Sequence, residues 1–277
     1  MTKPILLAVV SDVHAGGTTA LCPPVIRLDD GGEYHASKAQ RWLMSCWEDY
    51  WARMADLRTS LKAELYVVFN GDAVEGDHHK TTQIMSANPN AQAAAWNAAI
   101  SVPLALKPDK IAIIRGTAAH VGVSASAEER IADGLRRDKR PVVSDPDTDT
   151  ASWWHWRPVL RDVRLDFTHH GKIGRLPRTR GSALILYAWD IVDEHVKDGD
   201  PIPHLAFRGH NHKKGDSGDA APVRVIATGA WQLGTEHVKK VAADSLADIG
   251  GAYAILDGGE PVVKQVTYKA ERPLWHP

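Results

Sequence analysis

The chain has 277 residues, 44% of them hydrophobic, enough for one large buried core, and no Pro/Gly/Ser-rich linker divides it. Its 33 Lys and Arg against 34 Asp and Glu leave a formal net charge of −1, which excludes a global attraction to nucleic acid or to an acidic membrane and leaves only local basic patches open. Two cysteines, Cys22 and Cys46, exclude a disulfide framework and fit a reduced, cytoplasmic protein.

The first apolar run, 5–10, predicts a strand, is too short for a membrane span or a signal-peptide core, and leads directly into Ser11-Asp12-Val13-His14. Ala39, Trp42, Leu43, Cys46, Trp47, Tyr50, Met54, Leu57 and Leu61 then recur at spacings of three and four, which predicts an amphipathic helix with Ser37 as its cap and the Trp-rich stripe as core. A second strand, 65–69, runs into Asn70-Gly71-Asp72, and a helix is predicted over 91–106. A third strand, 111–114, precedes Arg115-Gly116-Thr117-Ala118-Ala119-His120, and a helix follows over 125–137, with Ser124 or Ser126 expected as its cap. This alternation implies parallel strands with helical crossovers.

The second half changes character. Segments 153–160 and 163–167 flank Arg161-Asp162 and predict a hairpin, which ends on Thr168-His169-His170-Gly171. A helix over 182–196 and a short strand over 205–207 lead to Gly209-His210-Asn211-His212. Three more strands, 223–228, 252–256 and 262–268, are joined by Gly-rich turns and suggest a second sheet packed on the first.

Each polar cluster thus follows an apolar strand, at the sheet edge where open α/β folds place their ligand crevices. Many of the 14 histidines concentrate there. Asp12, His14, Asp72, His169, His210 and His212 are hard carboxylate and imidazole donors of the kind that hold a pair of divalent cations about 3.5–4 Å apart. In Asp12-Val13-His14 and His210-Asn211-His212, residues two apart on an extended backbone point to the same side.

In this order the clusters resemble the signature of the calcineurin-like metallophosphoesterase superfamily, whose blocks are Asp-x-His, Gly-Asp, Gly-Asn-His-Asp/Glu, a strand-end His and Gly-His-x-His. Four of the five blocks are present, from Asp12 to His212. The resemblance implies one α/β domain, a four-layer sandwich of two mixed β-sheets flanked by helices. It implies two divalent metal ions, Mn, Fe or Zn. Asp12, His14 and His212 would hold one, His169 and His210 the other, and Asp72 would bridge them beneath the attacking hydroxide. His169 is preferred over His170 because it follows the strand and Thr168 directly.

The third block departs from the family pattern. Thr117 stands where the family has a metal-binding Asn but offers only a hydroxyl, a poor metal ligand, and His120 comes two residues later than the family's His. His120 is therefore expected in the catalytic site with Asp72, either reaching the scissile phosphate or replacing the missing Asn as a ligand. Thr117, His170 and His79 are weaker candidates for substrate contact. His79 lies in the run from Glu75 to Lys80, which includes His78 and would overhang the metals. Lys172, Arg175, Arg178 and Arg180 form a basic stretch able to take further phosphates or a nucleic-acid strand, and His155 reads as hairpin packing. The function expected is hydrolysis of a phosphomonoester or phosphodiester, on a small molecule or nucleotide and without a membrane partner. A nuclease on DNA or RNA and a catalytically silent metal- or phosphate-binding module are the alternatives. The oligomeric state is not legible in the sequence.

Overall fold

A computed structural model describes residues 2–77, 82–174, 177–241 and 246–271. Strand β1 (Ile5–Val10) is buried at every position, as expected of a strand covered on both faces. A ribbon of β2 (Val25–Arg27) and β3 (Glu33–His35) follows, turning through Asp30-Gly31-Gly32. Its strands are too short to leave a periodic signal. Helix α1 (Lys38–Leu61) starts at Ser37, whose hydroxyl accepts from the Gln40 N–H while Gln40 reaches back to the Ser37 N–H, a reciprocal capping box. Strand β4 (Glu64–Asn70) lies parallel to β1, helix α2 (Pro89–Ala105) opens on an Asn88 cap with Pro89 in its first turn, and β5 (Lys110–Ile114) lies parallel to β4.

A single helical turn, α3 (Ala118–Val121), precedes α4 (Ser126–Arg137). Neither Ser124 nor Ser126 caps α4, contrary to expectation: Ala125 holds the cap position in a left-handed conformation without a side-chain bond. The chain makes a tight corner there instead of a standard entry.

Strands β6 (Val159–Leu160) and β7 (Val163–Phe167) form the expected hairpin, with Arg161 and Asp162 both at positive φ, 50° and 64°, as a two-residue turn matching strand twist requires. The strand expected from 153 is broken, since Pro158 has no N–H to give to a ladder. Trp156 exchanges backbone hydrogen bonds with Phe167 of β7, whereas Trp153 bonds to Ile113 and Arg115 at the end of β5. This segment therefore touches both sheets. Helix α5 (Arg180–Asp198), β8 (Leu205–Arg208), β9 (Gly215–Asp216), β10 (Arg224–Ala227), α6 (Glu236–Val241), β11 (Ile249–Leu256) and β12 (Val262–Tyr268) complete the order.

The first sheet runs β12-β11-β1-β4-β5 and the second β6-β7-β8-β10-β9. Both are mixed: the first is parallel from β1 through β5 and antiparallel on the β11-β12 side, and the second has a parallel centre and antiparallel edges. The tail does not build a second sheet by itself, which corrects the sequence reading. β10 joins the second sheet, while β11 and β12 extend the first along the side of β1 that β4 leaves open. A fully buried strand needs backbone partners on both sides.

Ile5, Leu7, Val9 and Ile114 meet Leu165, Phe167, Phe207 and Ile226 between the sheets. The alternate residues Leu6, Ala8 and Val10 face α1 and α2, where Trp47 packs edge-on against Trp51 and Trp231. Leu184, Ala188 and Val192 of α5 cover Ala206 and Val225 on the far side. The result is helices, sheet, sheet and helix in four layers. The carboxyl ends of β1, β4, β5, β7 and β8 meet at one edge. Among the described residues no helix is long and apolar enough to cross a membrane.

Candidate metal centre

The chain leaves β1 and β4 side by side, with the Asp12 N–H bonded to the Gly71 carbonyl at 3.0 Å and the His14 N–H to the Asp72 carbonyl at 2.9 Å. Asp12, His14, Asp72, His210 and His212 have φ of 56°, 50°, 53°, 68° and 52°. A left-handed backbone is uncommon outside glycine and persists where the surroundings over-determine it, as it does at many functional sites. Gly71 between the two sheets has φ +89°, and a Cβ there would lie 2.2 Å from the His169 Nδ1. Only glycine lets β4 turn this close to the imidazole.

Six side chains meet at this edge in two groups. Asp12, His14 and His212 form one, and Asp72, His169 and His210 the other, with the ligand atoms of each within 4.8 Å of one another. The His14 and His212 Nε2 atoms are 3.1 Å apart, and the His212 Nε2 is 3.2 Å from Asp12 Oδ1. The His169 Nε2 is 3.0 Å from Asp72 Oδ2, which also lies 3.9 Å from the His14 Nε2 and so faces both groups. Adjacent ligands on one cation with bonds of about 2.1 Å stand about 3.0–3.4 Å apart, so the donor set fits divalent cations. Asp12, His14, Asp72 and His169 are at most 1% exposed; His210 and His212 form the open side.

The buried imidazoles are held from behind. His14 Nδ1 is 2.9 Å from the Glu75 carboxylate, which itself accepts from Gln232 Nε2 at 2.6 Å. His169 Nδ1 donates to the Asn70 carbonyl at 2.7 Å. Each ring thereby turns its Nε2 inward, the arrangement by which carboxylates and carbonyls aim metal-binding histidines. Sequence reading missed Glu75 as a partner of His14 and missed Gln232 altogether, since nothing local marks a contact between residues 157 positions apart.

Charge also fits a cation. Burial raises the carboxyls of Asp12 and Asp72, yet the facing imidazoles, His212 and His169 for Asp12 and His169 for Asp72, hold both well below the usual range. Burial lowers His14 and His169, but Asp12 and Glu75 push His14 up to about 10, and Asp72 and Asp12 push His169 up to about 9. Burial and the neighbouring His169 bring His210 down to about 4. The buried carboxylates favour positive charge beside them, while His210 on the open side is held in its neutral form.

The third block lies beside both groups. The Thr117 N–H donates to Asp72 Oδ1 at 2.6 Å, and the Gly116 N–H donates to the wholly buried Glu128 carboxylate, which also accepts from the Ala73 N–H at 3.2 Å. Burial, with Asp72 close by, pushes Glu128 up to about 8. Glu128 thus ties the loop after β5 to the loop after β4, a role hidden in the sequence by its place on an amphipathic helix. His120, on α3, donates from Nδ1 to the Glu75 carbonyl at 2.9 Å and sets its ring edge-on to His14, with centroids 4.4 Å apart. Its ligand atoms group with His14 and Asp72, on the side of the first donor set.

His170 is exposed, with its ring 4.7 Å from that of His210, and the buried His169 stands nearer the centre. His79, His78, Lys80 and Arg175 lie outside the described residues. Lys172 pairs with Asp190 at 2.7 Å, and Arg180 with Asp248 at 3.4 Å. His155 lies away from the centre, bonded to Asp166, whose other oxygen pairs with the buried Arg208 at 2.6 Å. A cleft of about 500 Å³ lined by His14, Glu75, His120, His210 and His212 opens onto the donors. His120 also walls a second cavity of about 360 Å³ between α2 and α4.

No protein-family model matches the chain, and no curated protein matches it in sequence. Among solved structures, a dimetal phosphatase from Danio rerio aligns with a TM-score of 0.51 and 10% identity, over 94% of this chain and 95% of that one. A conserved uncharacterized protein from Streptococcus pneumoniae TIGR4, described as a predicted phosphoesterase, aligns with a TM-score of 0.39 and 11% identity, over 96% of this chain and 91% of that one. The likeness to the Danio rerio protein shows a common fold, with two mixed sheets between flanking helices.

Proposed function

We propose that this chain, which has the fold and the ordered strand-end motifs of the calcineurin-like metallophosphoesterase superfamily, is a metal-dependent hydrolase of a phosphomonoester or phosphodiester borne by a small molecule or nucleotide. The observation that carries the reading is the convergence of two His/Asp donor groups, with Asp72 facing both, beside an open cleft that His14, His210 and His212 line. Divalent cations held there supply Lewis-acid charge to a phosphoryl oxygen and bring the pKa of water toward neutrality.

The chain's own residues set the geometry. Asp12, His14 and His212 make the first donor group and Asp72, His169 and His210 the second, with Glu75 and the Asn70 carbonyl fixing the buried rings. His120 stands on the cleft wall beside His14, where an imidazole can pass a proton to a leaving oxygen or stabilise charge on the phosphoryl group. Side chains of both sheets fill one core, which supports a single domain.

The test is hydrolysis of bis-p-nitrophenyl phosphate and p-nitrophenyl phosphate by metal-stripped protein titrated with Mn²⁺. Turnover that requires metal and disappears in a folded Asp72→Ala variant supports the proposal. Stoichiometric metal binding with no turnover on either ester would overturn it in favour of a silent binding module.

A further inference from the structure

The second donor group, Asp72, His169 and His210, offers three protein ligands, fewer than a divalent cation takes. Beside it, among the described residues, lies a hydroxyl that its own helix does not use. Thr117 occupies the cap position of α3, where a threonine hydroxyl ordinarily accepts from the first free N–H groups of the helix, yet it makes no such bond. Its Oγ1 lies instead 3.2 Å from Asp72 Oδ2 and 3.1 Å from His210 Nδ1, with His170 Nε2 beyond at 3.4 Å.

Those separations match neighbouring ligands on one cation, since donors at about 2.1 Å stand about 3.0 Å apart at right angles and about 3.4 Å apart in a tetrahedron. Without a cation the hydroxyl can donate to Asp72 Oδ2 and accept from the His210 Nδ1–H. A cation held by those same Asp72 and His210 atoms would take up both of their lone pairs, leaving the hydroxyl oxygen at ligand spacing with its own lone pairs to offer. The backbone fixes the placement, because the Thr117 N–H already holds Asp72 Oδ1 and leaves the side chain on the Oδ2 side. The preceding Gly116 admits no adjustment inward, as a Cβ there would meet Asp72 Oδ1 at 2.3 Å.

We propose that the Thr117 hydroxyl is the fourth protein ligand of the second cation and that it biases this position toward a hard ion such as Mn²⁺ or Mg²⁺ over Zn²⁺. The proposal rests on the metallophosphoesterase reading of the centre. A neutral hydroxyl is a hard oxygen donor, as in the phosphate-binding loops whose Ser or Thr ligates Mg²⁺. His170 then lies outside the donor set, and His120 stands beside His14 on the cleft wall.

The experiment is calorimetric titration of the metal-stripped full chain with Mn²⁺ and separately with Zn²⁺, with elemental analysis of bound metal after desalting. It compares wild type with Thr117→Val, Thr117→Ser and His170→Ala. Wild type is expected to take two Mn²⁺. Thr117→Val should weaken one of the two by about tenfold or more while sparing the other, and should affect Zn²⁺ less. Thr117→Ser should restore binding, and His170→Ala should leave it unchanged. Two Mn²⁺ bound as tightly by Thr117→Val as by wild type overturns the assignment. So does equal weakening of both ions, which would mark Thr117 as a positioning residue for Asp72 alone. A wild type that binds no metal fails earlier and overturns the reading of the centre itself.

Discussion

The loops after β1 and β4 and the loop after β5 approach the same centre by different means. The first two are bonded to each other through their backbones, Asp12, His14 and Asp72 have left-handed backbones, and Gly71 lets the loop after β4 pass close to His169. The third enters an ordinary helical turn, and a buried carboxylate from α4 holds it in place. Where ligand geometry is carried by main-chain bonds, the motif must be kept residue by residue. Where a distant side chain carries it, the motif can drift, and this is the block that departs from the family pattern.

The widest separation between these regions should appear in His120→Ala. If His120 serves the chemistry and holds no cation, this variant keeps its metal and loses about 100-fold or more in kcat on bis-p-nitrophenyl phosphate. Loss of a bound Mn²⁺ would instead move His120 into the donor set. Gly71→Ala strikes the main-chain device. With the added Cβ against His169, it should destabilise the fold by roughly 2–4 kcal/mol in urea unfolding and empty the centre of metal. A Tm equal to wild type would remove glycine from the account. Glu128→Ala strikes the side-chain device and leaves the Gly116 and Ala73 N–H groups buried without their acceptor, at about 1–3 kcal/mol. Glu128→Gln, which keeps one oxygen, should lose less, and equal losses would argue against the tie between the two loops.

The smallest effect lies behind the centre, at Asp166. Burial raises this carboxyl, but His155 and Arg208 bring it down to about 2 in the folded protein. Its unfolded value is about 3.9, so its stabilisation is complete above roughly pH 4 and is lost as pH falls through about 2, a change of about 2 kcal/mol. Acid unfolding curves of wild type and Asp166→Asn should therefore converge over that window. Parallel curves would place the acid sensitivity elsewhere.

The fold was largely legible because strands that lead into polar clusters are apolar runs of the right length, and α1 carries a clean helical stripe. What escaped was relational. The sheet joined by β11 and β12 depends on which side of β1 stands open, and three-residue strands such as β2 show no period. At the centre, the Asp and His donors announced themselves by type and spacing. Glu75, Gln232 and Glu128 did not, because their partners lie in other parts of the chain. Left-handed backbone at five of the six donors has no sequence mark beyond the tolerance of Asp and His for it.

The segment from Ala151 to Trp156 is bonded at Trp153 to β5 of the first sheet and at Trp156 to β7 of the second, and Glu129 of α4 accepts from the Ala151 and Ser152 N–H groups. Asp12, His14 and Asp72 follow strands of the first sheet, whereas His169, His210 and His212 follow strands of the second. The segment therefore works as a caliper. It gauges the gap between the two halves of the centre from outside, and close packing of Trp156 on Phe167, at 5.2 Å between rings, keeps the jaws set. The spacing of the two halves of the candidate centre is in this sense tied to a tryptophan packed between the sheets.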